Sequence, residues 1–363
     1  MQGYEGPAKV ASRVPEPERD VKNFGINPFW GMILGLALLL SACAGPSTET
    51  PLPRLAEKAP SQGLVPPEYL CPNCPKEAPD PVLAKEIGEF LEKSGMMGGV
   101  PAGVAGDLPV VLNGPVRTYL HTFANSKNFQ ASLARSGRYL PMIRRIFKEH
   151  GLPQDLVWVA LVESGFSPWA RSPMEAVGIW QFIEGTARRY GLKVNSQVDE
   201  RRDPEKSTVA AARYLRDLYK QFGCWYLAAA GYNAGEKRVE GVVARHGTRD
   251  FWTLARNKLL PQETCNYVPQ LVAAALIAKN PEKYGLPPLQ YQGPLAYERV
   301  KIPGGTDWRW FAESLEISDK DLLNLNPELS GGAIPPESQE YFLKVPTKKK
   351  REAQQLARLC WKM

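Results

Sequence analysis

The amino-acid sequence predicts a mainly α-helical domain followed by a small βααβ unit. Apolar residues recur at the 3.6-residue period from about residue 113 to 280, each run bounded by helix start and stop residues. Before residue 295 no segment alternates convincingly, apart from a possible short hairpin around Lys193 to Val198. At Tyr297 the period changes from helical to alternating. A chain of 363 residues, 44% of them apolar, has room for one medium domain, a smaller one and non-globular segments.

In chain order, Asn113-Gly114-Pro115 opens a helix with Val116, Tyr119, Leu120 and Phe123 inward, and Pro141 opens another with Met142, Ile143, Ile146 and Phe147 inward. Leu152 to Gly165 reads as one helix: Pro153 suits the first position, Asp155 complements the dipole of the first turn, and Gly165 stops it. Asp203-Pro204-Glu205 starts a long helix with a face of Val209, Ala212, Leu215, Tyr219 and Phe222. Trp225 to Gly231 is small and apolar on all sides, as a buried central helix should be. Glu236 to His246 and Tyr267 to Lys279 complete the set, the last ended by Asn280-Pro281. Tyr297 to Ile302 and Tyr341 to Pro346 read as strands, with short helices at Trp308 to Leu315 and Ser318 to Leu325 between them; residues 347–363 form a basic, partly helical tail.

The N-terminus carries a targeting signal. Phe29 to Leu40 is an apolar run preceded by Arg19 and Lys22, too short to span a bilayer comfortably and of signal-peptide length. It ends in Leu40-Ser41-Ala42-Cys43, which resembles the lipobox of bacterial lipoproteins. That resemblance implies a signal over residues 1–42 and lipid on Cys43; an ordinary signal peptide or short anchor is the alternative. The leader before the apolar run is long, so translation could start inside it. Ala44 in place of Asp points to the outer membrane, facing the periplasm. Residues 43–106 read as a tether rich in Pro and Gly, with a short amphipathic helix suggested by Leu83, Ile87, Phe90 and Leu91.

An exported chain lives where disulfides persist. Cys71-Pro72-Asn73-Cys74 suits a small local disulfide, since no second pair or His partner stands at zinc-ligand spacing. Cys224 and Cys265 could pair across the main domain; with Cys360 the number left after Cys43 is odd. No metal site or cofactor is expected. The formal net charge of +7 is dispersed, apart from Lys348 to Arg351, without the basic, aromatic-interleaved stripe of a nucleic-acid groove. It suits an anionic surface or polymer.

Glu163 is the candidate catalytic residue. Ala160, Val159 and Leu156 share its helical face, so its carboxyl lies on an apolar surface near the negative end of a helix dipole. Both conditions disfavour ionisation and produce a general acid that keeps its proton near neutral pH. Three further clusters join a polar side chain to Gly or an aromatic: Gly178 to Phe182, Gly231 to Gly235, and Glu263 to Pro269. Gln181 and Asn233 can donate to and accept from hydroxyl and N-acetyl groups, and Trp169, Trp180 and Tyr232 could stack on sugar faces. Taken singly, Trp180 and Phe182 could equally be core, and Gly231 and Gly235 could serve helix packing.

In this order and spacing the four clusters resemble the family 1 soluble lytic transglycosylase domain, in its membrane-bound D-type form. Ser172-Pro173, Ala176-Val177-Gly178, Gly185-Thr186-Ala187, Asp199 to Pro204 and Ala210 to Leu215 extend the match. The resemblance implies a goose-lysozyme-like helical domain, here residues 107–290 with an N-terminal helical extension, that cleaves peptidoglycan between N-acetylmuramic acid and N-acetylglucosamine. Glu163 would protonate the glycosidic oxygen and then, as carboxylate, take the proton of the muramoyl 6-hydroxyl as it closes to a 1,6-anhydro ring. The substrate supplies the nucleophile, so one carboxylate suffices where most glycosidases need two. By position Tyr267 matches the tyrosine that orients the acid, and Ser164, Gln181, Tyr232 and Asn233 match residues contacting sugar or positioning the glutamate. Met174-Glu175 replaces two small residues, and Cys224 and Cys265 replace charged ones; Glu175 could alter the cleft rim. Residues 291–346 resemble a divergent LysM module, through Tyr297 to Val300, Ala312, Leu322 to Pro327 and Val345-Pro346, which implies binding of N-acetylglucosamine glycans; a structural appendage is the alternative. A water-admitting muramidase of the same fold and a non-catalytic cell-wall binder are the competing functional readings.

Overall fold

A computed structural model describes residues 108–362, and the expected signal, tether, Cys43, Cys71 and Cys74 fall outside them. The larger part is helical, as the sequence predicts. α1 (Gly114–Ala124) begins where Asn113 accepts a hydrogen bond from the Val116 amide, and α2 (Lys127–Ser136), which the sequence reading lacks, is capped in the same way by Ser126. α3 is Leu140–Glu149. The segment expected as a single helix is a 3-10 helix, Gln154–Trp158, that turns into α4 (Val159–Ser164) and stops at Gly165 in the left-handed region.

α5 (Glu184–Arg189) precedes α6 (Pro204–Phe222), whose cap Asp203 accepts from the amides of Glu205 and Lys206. α7 (Trp225–Ala234) is buried along seven of its residues and lies close against α6, because Gly231 faces Leu218 and Phe222 without a side chain. α8 (Glu236–His246), α9 (Phe251–Arg256) and α10 (Gln262–Lys279) follow; α10 starts five residues before the expected Tyr267 and carries Pro269 inside it. One continuous core, from Leu108 to Leu286, includes Trp158, Phe166, Trp180, Leu215 and Val268. The expected hairpin near Lys193 is a turn closed by a single bridge, Val194 to Asp199.

The βααβ pattern is present: β1 (Glu298–Pro303) pairs antiparallel with β2 (Glu340–Val345), Val300 opposite Leu343, with α11 (Trp308–Ser314) and α12 (Asp319–Leu325) between them. Val300, Ile302, Trp308, Phe311, Leu322, Leu343 and Val345 form its own core. The basic segment after Pro346 contributes to that core, because α13 (Lys350–Cys360) lays Ala353 and Ala357 into it. The anticipated Cys224–Cys265 bridge is absent: both are free, buried thiols, as Cys360 is a free thiol, and Cys265 Sγ donates to the Leu260 carbonyl 3.4 Å away. Among the described residues no helix is long and apolar enough to cross a membrane.

Candidate active site

Glu163 stands one residue before the end of α4 with its side chain half-buried and its carboxyl facing α10. Tyr267 of α10, itself buried, donates its hydroxyl to Glu163 Oε1 at 2.7 Å. Oε2 has no hydrogen-bond partner among the described residues. Burial pushes the Glu163 carboxyl up from 4.5 to about 7; the Tyr267 hydrogen bond opposes that rise and the charge of Glu263 adds to it. A carboxyl in this state is about half protonated at neutral pH and changes form at little cost, as a group that must give and then take one proton requires.

Gly165 is fixed where it stands, since a Cβ would strike Ser132 of α2 and Arg135 Nη1 donates to its carbonyl at 2.5 Å. Ser164 turns its hydroxyl inward: Oγ donates to the Ile179 carbonyl at 2.8 Å and accepts from the Ser167 amide at 3.2 Å. Ser164 thereby ties the end of α4 to the 178–182 turn. Tyr232 of α7 ties a second point, its hydroxyl donating to the Trp180 carbonyl at 2.8 Å. Gln181 stands at φ 50°, a left-handed conformation that costs a non-glycine residue about 1 kcal/mol and is held by the turn around it. Its amide nitrogen donates to the carbonyls of Gly178, at 2.8 Å, and Ala170, at 3.3 Å. Asn233 is locked against α10, with Nδ2 on Glu263 Oε1 at 3.2 Å and Oδ1 accepting from Thr264 Oγ1 at 2.8 Å.

The structure therefore gathers Glu163, Ser164, Gln181, Tyr232, Asn233 and Tyr267 around the junction of α4, α7, α10 and the 178–182 turn. Trp180 is not available to stack on a sugar: it is fully buried, packs on Phe147 and donates Nε1 to Thr208 Oγ1 at 2.9 Å. Trp169 is 43% exposed, with the Arg202 guanidinium over its ring. Glu175 is exposed and pairs with Arg171, which holds its carboxyl below the usual range. Thr208, Thr264 and the charge of Glu263 are the parts sequence reasoning gave no role; each acts through a neighbour distant in the chain.

One carboxyl gripped by a tyrosine inside a helical cradle is the kind of site that fold and geometry define, and residues 142–255 match the family described as the transglycosylase SLT domain. Among similar proteins is membrane-bound lytic murein transglycosylase D of Escherichia coli (strain K12), 34% identical over 277 residues, 75% of this chain and 57% of that protein. This chain thus spans little more than half that relative's length. Peptidoglycan transglycosylase gp16 of Escherichia phage T7 is 32% identical over 147 residues, 39% of this chain and 10% of that one. The crystal structure of the 70 kDa soluble lytic transglycosylase of Escherichia coli aligns over 42% of this chain and 26% of that one, at 25% identity and a TM-score of 0.35.

Proposed function

We propose that this protein is a lytic transglycosylase of the bacterial cell envelope. It cleaves the β-1,4 bond between N-acetylmuramic acid and N-acetylglucosamine in peptidoglycan and leaves 1,6-anhydromuramoyl ends. The observation that carries this reading is Glu163: a half-buried carboxyl, raised to about 7, whose one oxygen is taken by Tyr267. Protonated, it delivers its proton to the glycosidic oxygen; ionised, it receives the proton of the muramoyl 6-hydroxyl, which then bonds to the anomeric carbon. The proton count closes without water and without a cofactor. Tyr267 fixes the carboxyl, Ser164 and Tyr232 fix the turn beside it, and the Gln181 amide oxygen and the Asn233 amide hydrogen not given to Glu263 are left for the sugar.

In this reading residues 1–42 are a signal, Cys43 carries lipid that holds the protein to the outer membrane, and 43–106 tether a catalytic domain at 107–290. Residues 291–346 are a LysM-like module. The similarity to a membrane-bound murein transglycosylase supports an envelope location. Digestion of purified peptidoglycan tests the acid: Glu163→Gln should abolish release of soluble fragments, and undiminished release would remove Glu163 from its role.

A further inference from the structure

The C-terminal module grips one short turn of the catalytic domain. Val198 sits in the module's core, bridged to Leu329, and the Asp199 amide donates to the Glu328 carbonyl at 2.8 Å. The amides of Ser330 and Gly331 both donate to the Gln197 carbonyl. Lys344 of β2, 4% exposed, puts Nζ 2.7 Å from Asp203 Oδ2 and 3.4 Å from Glu328 Oε1. Its own backbone is pinned on both sides by the Asn326 amide, at 2.7 and 2.9 Å. Asp203 divides its carboxylate: Oδ1 caps α6 while Oδ2 takes the module's lysine. A buried ion pair of this kind does little for net stability beside an apolar replacement, but it fixes register.

The other face of the same turn bears on the active site by two routes. Asp199 holds the Arg201 guanidinium by two bonds of 2.8 Å, and Arg201 Nη1 donates to the carbonyls of Phe182, at 3.2 Å, and Glu175, at 2.9 Å. The Arg201 carbonyl oxygen lies where a Cβ on Gly178 would stand, so the two turns touch backbone to backbone. The second route runs along α6: Asp203 caps it, Thr208 in its second turn donates to the Pro204 carbonyl at 2.5 Å, and Thr208 in turn receives Trp180 Nε1. Both routes end on residues 178–182, whose Ile179 and Trp180 carbonyls anchor Ser164 and Tyr232 beside Glu163.

We propose that the module is a positioning part of the active site, with Lys344 as its key residue: through Asp203 and the 199–203 turn it sets the placement of the 178–182 turn against Glu163. Its effect on turnover rests on the proposed reaction; its effect on the turn does not. Displacement of about 1 Å at a reacting group costs up to ~100-fold in rate, so loosening this brace should lower kcat and leave KM nearly alone.

The test uses the full chain carrying Lys344→Met together with Asp203→Asn, which removes both charges of that pair, keeps the cap and leaves Glu328 on the Tyr341 hydroxyl. Amide exchange at residues 178–182 should rise at least about tenfold, and kcat should fall about tenfold or more with KM within about twofold. Lys301→Ala, which breaks an exposed pair with Glu340 on the sheet, should change neither. Should the double variant fold poorly, Val198→Ala trims the same contact without unpairing a charge, and the same two changes in smaller degree are required of it. Unchanged exchange at 178–182 in a folded variant overturns the proposal whatever the activity. Altered exchange in a protein that never cleaves peptidoglycan leaves the brace standing and refutes the function.

Discussion

Replacing Glu163 with Gln should stabilise the protein, and only at high pH. The fold raises this carboxyl from 4.5 to about 7 by burial, so the folded chain binds a proton more tightly than the unfolded one. The sign follows: the site costs nothing below the unfolded value, costs progressively more between 4.5 and 7, and exacts its full cost above 7. At ~1.4 kcal/mol for each tenfold, the gap is worth roughly 3 kcal/mol, and partial exposure trims it to about 2–3. Gln is neutral throughout, matches the shape and still accepts the Tyr267 hydroxyl. Urea unfolding of wild type and Glu163→Gln at pH 4 and pH 8.5 reads the difference. Near-equal stability at pH 4 and a variant more stable by about 2–3 kcal/mol at pH 8.5 is expected. A difference independent of pH would refute the raised pKa, and with it the reasoning that makes Glu163 an acid.

Tyr267→Phe removes a donor that opposes the rise of Glu163, so the basic limb of the rate profile should move up by about one pH unit and kcat fall roughly 10- to 100-fold; a limb that moves down contradicts the hydrogen bond. Glu263→Gln removes a charge that raises Glu163, so the same limb should move slightly down while anhydro products persist. Loss of those products would instead give Glu263 a direct chemical part. Cys43→Ala should free the protein from the membrane fraction, and unaltered fractionation would count against the lipid anchor.

How far the sequence alone reaches is clearest at particular residues. Caps and periods were legible where they are local: Asn113, Asp203 and the βααβ boundaries stand where turn chemistry and hydrophobic spacing place them. α2 escaped because only Phe129 and Leu133 mark its buried face among polar neighbours. The 3-10 turn before α4 was hidden inside an apolar run that fits either helix. Trp180 offered a sugar platform or a core residue on equal terms, and the partner that decides, Thr208, lies 28 residues away. Glu163 itself was legible as an apolar-faced carboxyl. Its link to Tyr267, 104 residues on, came from resemblance and not from spacing. The grip of Lys344 on Asp203 spans 141 residues and leaves no periodic trace at all.

The central claim is that Glu163 acts alone and the substrate supplies the nucleophile. Mass analysis of muropeptides released from purified peptidoglycan measures this directly. Products should carry 1,6-anhydromuramoyl ends, one water lighter than hydrolysed species. Products one water heavier would make the enzyme a muramidase and require a second group to activate water.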